Sequence, residues 1–217
     1  MRHCVTYLKS HLKQHLGPHL KPLTLWLFAG LLLLVLDATV PDFLIYDRCM
    51  VLVGEWYRLF TCHFVHFTPM HLLLNWLGLL LVSSLIADRE RWPLQLAVLP
   101  GMCAFIGVGL LLFAPELGRY GGFSGVLHGL LVWACLRQYL AGGRQVVWLL
   151  LTALVILKVG YEQTPWYDPT AMQATIGVPV ATMAHLLGVV AGVLVGLLSG
   201  FAGFQAQRCG KQGDPAA

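Results

Sequence analysis

The chain has 217 residues, is 58% hydrophobic and only 11% charged, and carries a formal net charge of +4. Soluble domains carry about 25% charged residues, so this composition excludes a globule whose surface is covered for water. Several apolar runs approach the roughly 20 residues that span a bilayer, and the chain reads as a polytopic, all-α membrane protein.

Residues 1–22 are polar and basic. Leu8, Leu12, Leu16 and Leu20 recur every four residues, and so do His11, His15 and His19. That pattern suits an interfacial helix on the cytoplasmic surface, leucines toward lipid. Histidines at this spacing also suit a metal, but Pro18 weakens the helix and no carboxylate supports the imidazoles. No metal or cofactor is expected.

The membrane domain covers residues 23–204, with six spans expected at 23–40, 70–87, 93–113, 123–140, 145–159 and 180–204. The first lacks a small-x-small cleavage site and reads as an uncleaved anchor. An aromatic-rich connection over residues 42–67 belongs in the headgroup zone. Lys158, near the end of span five, is expected to snorkel outward. Residues 160–179 form a loop, and residues 205–217 a polar, disordered cytoplasmic tail. The six cysteines show no C-x-x-C, so neither a metal site nor a disulfide framework is read from them. A Cys49–Cys62 bond is left open. Of the 14 Lys and Arg residues, only Arg48, Arg58, Arg119 and Lys158 fall on one side of this topology. The positive-inside rule then puts both termini in the cytoplasm.

The polar residues inside the spans are few and grouped. Gly122-Phe123-Ser124-Gly125 opens span four, His71 and Asn75 begin span two, and His185 lies about two turns into span six. These spans all run from outside to inside, so the polar groups share one depth near the outer face. Ionisable residues there point to function. A serine needs a base to become a nucleophile, and His185 is the candidate. No acidic residue occupies spans two, four or six at that depth. The expected arrangement is a Ser124–His185 dyad, with something other than a carboxylate orienting the imidazole. Gly125 and Gly129 on span four, and Gly188, Gly192 and Gly196 on span six, would let the two helices approach closely. Packing alone also accounts for a serine among glycines, with Gly122 beside it, and the two readings are compatible. His71 and Asn75 share a helix face and suit an oxyanion hole with the Ser124 backbone N–H, or a polar pair joining helices.

Together the G-x-S-G at Gly122–Gly125, the H-x-x-x-N at His71–Asn75 and the A-H-x-x-G-x-x-x-G at Ala184, His185, Gly188 and Gly192 resemble the rhomboid family of intramembrane serine proteases. Glu55-Trp56-Tyr57-Arg58, followed by Thr61, His66 and His71, is similar to that family's first outer loop, with Tyr57 where a tryptophan is usual. The resemblance implies a six-transmembrane-helix rhomboid-like bundle, Ser124 as nucleophile, His185 as general base, and His71, Asn75 and the Ser124 N–H as oxyanion hole. It implies membrane-anchored protein substrates cut near the outer face, with span five and the loop after it as gate and cap. His128 stands where many members have a tyrosine against the catalytic histidine. It either tunes His185 or packs against a neighbouring helix.

The run Gly-Phe-Ser-Gly-Val-Leu-His-Gly resembles the rhombosortase branch most. That implies cleavage of C-terminal anchors with a Gly-Gly motif, an apolar helix and a basic end, on exported proteins, in the bacterial inner membrane. The partners are then such substrates and the lipid bilayer, with no nucleic acid. Rival readings are a general rhomboid protease with broader substrates, an inactive rhomboid-like escort protein, and a small channel or transporter. The last usually shows symmetric broken helices, and none is apparent.

Overall fold

The computed structural model describes residues 42–86, 92–140 and 145–212. The interfacial segment 1–22 and the first expected span, 23–40, lie outside the described residues.

The aromatic-rich connection is ordered by hydrogen bonds. A 3-10 turn at Asp42–Leu44 leads to strand β1 (Tyr46–Asp47) and helix α1 (Arg48–Leu52). Asp47 caps α1, accepting from the Cys49 and Met50 N–H groups. Helix α2 (Arg58–Thr61) and a 3-10 turn (Cys62–Phe64) follow. Arg58 is buried and donates to the carbonyls of Asp42 and Ile45, at 2.7 Å each, and to the Glu55 carboxylate. The same Arg58 bond, together with the Tyr57 hydroxyl, holds the Glu55 carboxyl below its usual range. Tyr57 and its neighbour Trp56 are both exposed, so Arg58 and not the ring beside it anchors this loop. Arg58→Ala is expected to cost about 3 kcal/mol, because it strips charged donors from two carbonyls. Denaturant titration in detergent checks this.

Five long helices carry the rest of the described chain. They are α3 (Pro69–Ile86), α4 (Trp92–Phe113), α5 (Ser124–Gln138), α6 (Val146–Glu162) and α8 (Thr182–Gln212), with a short α7 (Gln173–Ile176) between the last two. Strand β2 (Arg119–Tyr120) precedes α5 and pairs antiparallel with β1, Tyr46 opposite Tyr120. The helices match the expected spans two to six with shifted ends. α6 runs three residues past the expected limit at 159, and α8 runs to Gln212, in place of a disordered tail from residue 205. Hydropathy alone ends the fifth span near Lys158; an i, i+4 ion pair, Lys158 to Glu162, instead spans the last turn.

The contacts set helix direction. On α3, His71, Gly78 and Leu85 approach Gly122, Leu127 and Gln138 in turn. Along α8, Ala184, Gly188 and Gly196 approach Gly125, Gly129 and Leu136. Helices α3, α5 and α8 are therefore parallel. Helix α6 runs against them, with Lys158 at His128 and Glu162 at His185. The core between them holds Trp133, Tyr46, Met102, Ile106 and Leu110, all fully buried.

Helix α8 alone, over Thr182–Ser199, is long and apolar enough to cross a membrane among the described residues. The pair Arg58–Phe64 and Pro69–Leu85, bent by 87°, qualifies as a second if taken together. Many large apolar side chains face outward, including Leu81, Leu112, Leu150, Leu157 and Leu198. Cys49 and Cys62 are both free, the first exposed and the second buried, so they do not pair. The Cys62 sulfur instead donates to the Leu59 carbonyl.

Candidate active site

The loop before α5 is held from three sides. The β1–β2 pair fixes Tyr120, whose hydroxyl donates to the Gly122 carbonyl at 2.7 Å. The Gly122 N–H donates to the Cys62 carbonyl at 3.0 Å. Gly122 has φ +127°, in the region that favours glycine, and a Cβ there would lie 2.7 Å from the His71 ring. The chain thus turns tightly into α5, and Ser124 becomes its first residue. The first N–H groups of a helix lack intrahelical partners and carry its positive dipole end, so the Ser124 hydroxyl sits in a field that favours negative charge.

His185 comes to it on α8. Its Nε2 lies 2.9 Å from Ser124 Oγ. The approach is as close as backbones allow, because a Cβ on Gly188 would overlap the Gly125 carbonyl oxygen and one on Gly192 would overlap that of Gly129. The six glycines expected to serve packing are all at close contacts: Gly122 against His71, and Gly125, Gly129, Gly188, Gly192 and Gly196 along the α5–α8 seam.

The expectation that no carboxylate orients the imidazole is corrected. Glu162, in the last turn of α6, places Oε2 2.8 Å from His185 Nδ1. An ionised carboxylate only accepts, so Nδ1 carries the hydrogen and Nε2 is left to accept the Ser124 O–H. Glu162 Oε1 is paired with Lys158 Nζ at 2.7 Å. Lys158 therefore turns into the site, which corrects the expectation of outward snorkelling. Its ammonium also donates to His128 Nε2 at 2.8 Å, and His128 Nδ1–H donates to the Ser124 carbonyl at 2.7 Å. The His128 ring stacks on His185, with centroids 4.2 Å apart and planes inclined by 24°.

His71 and Asn75 arrive on the buried face of α3. Thr68 accepts from the His71 N–H at 3.1 Å and donates to the Thr175 carbonyl at 2.8 Å, tying the start of α3 to α7. The His66 ring packs edge-on against His71 at 5.0 Å. Among the described residues, the buried Asn75 Nδ2 and His71 Nδ1 have no hydrogen-bond partner. Ser124, His185, Glu162, Lys158, His128, His71 and Asn75 line one cleft of about 630 Å³, together with Tyr167, Met172 and Ile176.

The structure thus brings together Ser124, His185, His71, Asn75 and His128, all marked by sequence, and adds Glu162 and Lys158, which sequence reasoning missed. The available signal was the i, i+4 Lys158–Glu162 spacing directly after an apolar run.

The result is a helical bundle with its polar groups gathered at the shared end of three parallel helices. A model of the Rhomboid domain matches residues 53–200, which include every residue of this cleft. The chain belongs to the rhomboid family, which is generally one of intramembrane serine proteases acting on membrane proteins within the bilayer. No curated protein matches the chain.

Proposed function

We propose that this protein is an intramembrane serine endopeptidase in which Ser124 is the nucleophile and His185 the general base. The 2.9 Å contact between Ser124 Oγ and His185 Nε2, at the floor of an open cleft, carries this reading. Ser124 Oγ bonds to the scissile carbonyl carbon while its proton passes to His185 Nε2 and the carbonyl π pair moves onto oxygen. The imidazolium then gives that proton to the leaving amine as the C–N bond breaks. Water repeats the sequence to free the acyl group.

The oxyanion formed on the way requires donors already in place. The Ser124 N–H, Asn75 and His71 fill that role. A buried, unpaired amide donor costs about 1–3 kcal/mol in the resting protein, a cost recovered when an oxyanion arrives. Asn75→Ala is expected to lower kcat by about 10²–10³-fold with KM little changed. Steady-state kinetics on a detergent-solubilised substrate test this.

The substrates we propose are C-terminal anchors of exported bacterial proteins, cut at a Gly-Gly motif that precedes an apolar helix and a basic end. A glycine pair suits the cleft because a flexible backbone without side chains unwinds into it most easily. The chain would then sit in the inner membrane as six spans with cytoplasmic termini, its cleft toward the outer face. The test is a co-expressed reporter bearing such an anchor, with the released fragment identified by mass spectrometry. Cleavage near the glycines supports this substrate class. Cleavage of a generic rhomboid substrate with the anchor left intact favours broader specificity. No cleavage of either by folded protein favours an escort role.

A further inference from the structure

We propose that Glu162 completes a Ser124–His185–Glu162 triad, held in place by Lys158, so that the site works through a carboxylate and not through a histidine alone. This rests on the reading of Ser124 as nucleophile. Glu162 does not touch the substrate. It is a positioning residue that acts through His185.

The placement of Glu162 is costly and has no evident structural return. A carboxylate in the last turn of a helix opposes the helix dipole, typically by about 0.3–1 kcal/mol. Its side chain is only 2% exposed, and a buried ion pair seldom repays its desolvation. Yet both its oxygens are used, Oε1 by Lys158 and Oε2 by His185. The donor and acceptor directions also close without conflict. Lys158 donates to Glu162 and to His128 Nε2, which leaves His128 Nδ1–H to donate to the Ser124 carbonyl. His185 Nδ1–H donates to Glu162, which leaves Nε2 facing the serine. One tautomer of each imidazole satisfies every contact.

The network has a division of labour. In the resting state Lys158 balances the Glu162 charge. When His185 takes the serine proton, the new imidazolium lies between that carboxylate and the stacked, neutral ring of His128. Glu162 keeps its own charge throughout and receives no proton. Lys158 keeps Glu162 in position but repels the imidazolium, so its net effect depends on Glu162 being present.

That dependence gives the test. Purified full-length protein is assayed as wild type, Ser124→Ala, Glu162→Gln, Glu162→Asp, Lys158→Met and the Glu162→Gln/Lys158→Met double variant. Thermal denaturation monitors folding. Loss of all cleavage in Ser124→Ala secures the nucleophile, whatever the Glu162 and Lys158 variants do. Glu162→Gln is expected to lower kcat by at least about 100-fold with KM within about threefold. Glu162→Asp recovers part of that loss, since it restores the charge at a shorter reach. The double variant is expected to exceed Glu162→Gln alone by about tenfold, because it removes an ammonium left without its counter-charge. It also stands in for the single variant if that one fails to fold. A folded Glu162→Gln, or double variant, with kcat within about threefold of wild type overturns the proposal. So does a loss confined to KM.

Discussion

Gly188→Ala is expected to lower cleavage by at least about 100-fold. The added methyl would overlap the Gly125 carbonyl oxygen and lie 2.9 Å from its carbon and 3.4 Å from the Gly129 nitrogen, all backbone that no side-chain rotation relieves. Helices α5 and α8 must move apart to admit it, and Ser124 and His185 ride on opposite sides of that seam. Misplacing catalytic groups by about 1 Å costs on the order of 10²-fold. Overpacking also costs stability, typically about 1–3 kcal/mol. Gly160→Ala is the matched control, because nothing lies within 4 Å of a Cβ there. A Gly188→Ala protein as active as Gly160→Ala would show that close helix approach does not set the spacing of Ser124 and His185.

Ser124→Ala and His185→Ala are each expected to reduce cleavage by about 10⁴–10⁶-fold, to the limit of detection. The two losses are not additive. Once either member of a hydrogen-bonded nucleophile–base pair is gone, the other has no function left to lose. The double variant therefore matches the singles. End-point cleavage of a saturating substrate over a long incubation checks this. Both substitutions leave the α5–α8 glycine seam untouched, but His185→Ala also strips Glu162 Oε2 of its partner, so thermal denaturation accompanies the assay to establish that each variant is folded. A clear residual rate in His185→Ala, above that of Ser124→Ala, would show that another group takes the proton.

Much of this site is legible in the sequence because membrane helices restrict the possibilities. The apolar runs mark the helices, and their alternation fixes which ends share a depth. That alone gathers His71, Asn75, Ser124 and His185, and the contacts bring all four to one cleft. The stacking of His128 on His185 follows from its place one turn after Ser124.

Glu162 escapes a sequence reading for a physical reason. A charged pair after an apolar run reads as the point where a helix meets water. Here the pair satisfies itself across one turn, the helix continues, and Glu162 is buried. Hydropathy reports the transfer of single residues and is blind to such mutual compensation. The aromatic-rich loop before α3 is harder still. Its order comes from Arg58 reaching two carbonyls and from a two-residue strand pair, neither of which has a periodic signature.

Mass spectrometry of protein treated with a fluorophosphonate tests the assignment of Ser124 and His185 most directly. The probe forms a stable bond with a serine only where a base and an oxyanion site activate it. A single adduct is predicted on the peptide holding Ser124, absent in Ser124→Ala and slowed by orders of magnitude in His185→Ala. An adduct on another residue, or labelling of Ser124 at an unchanged rate in His185→Ala, would contradict that assignment.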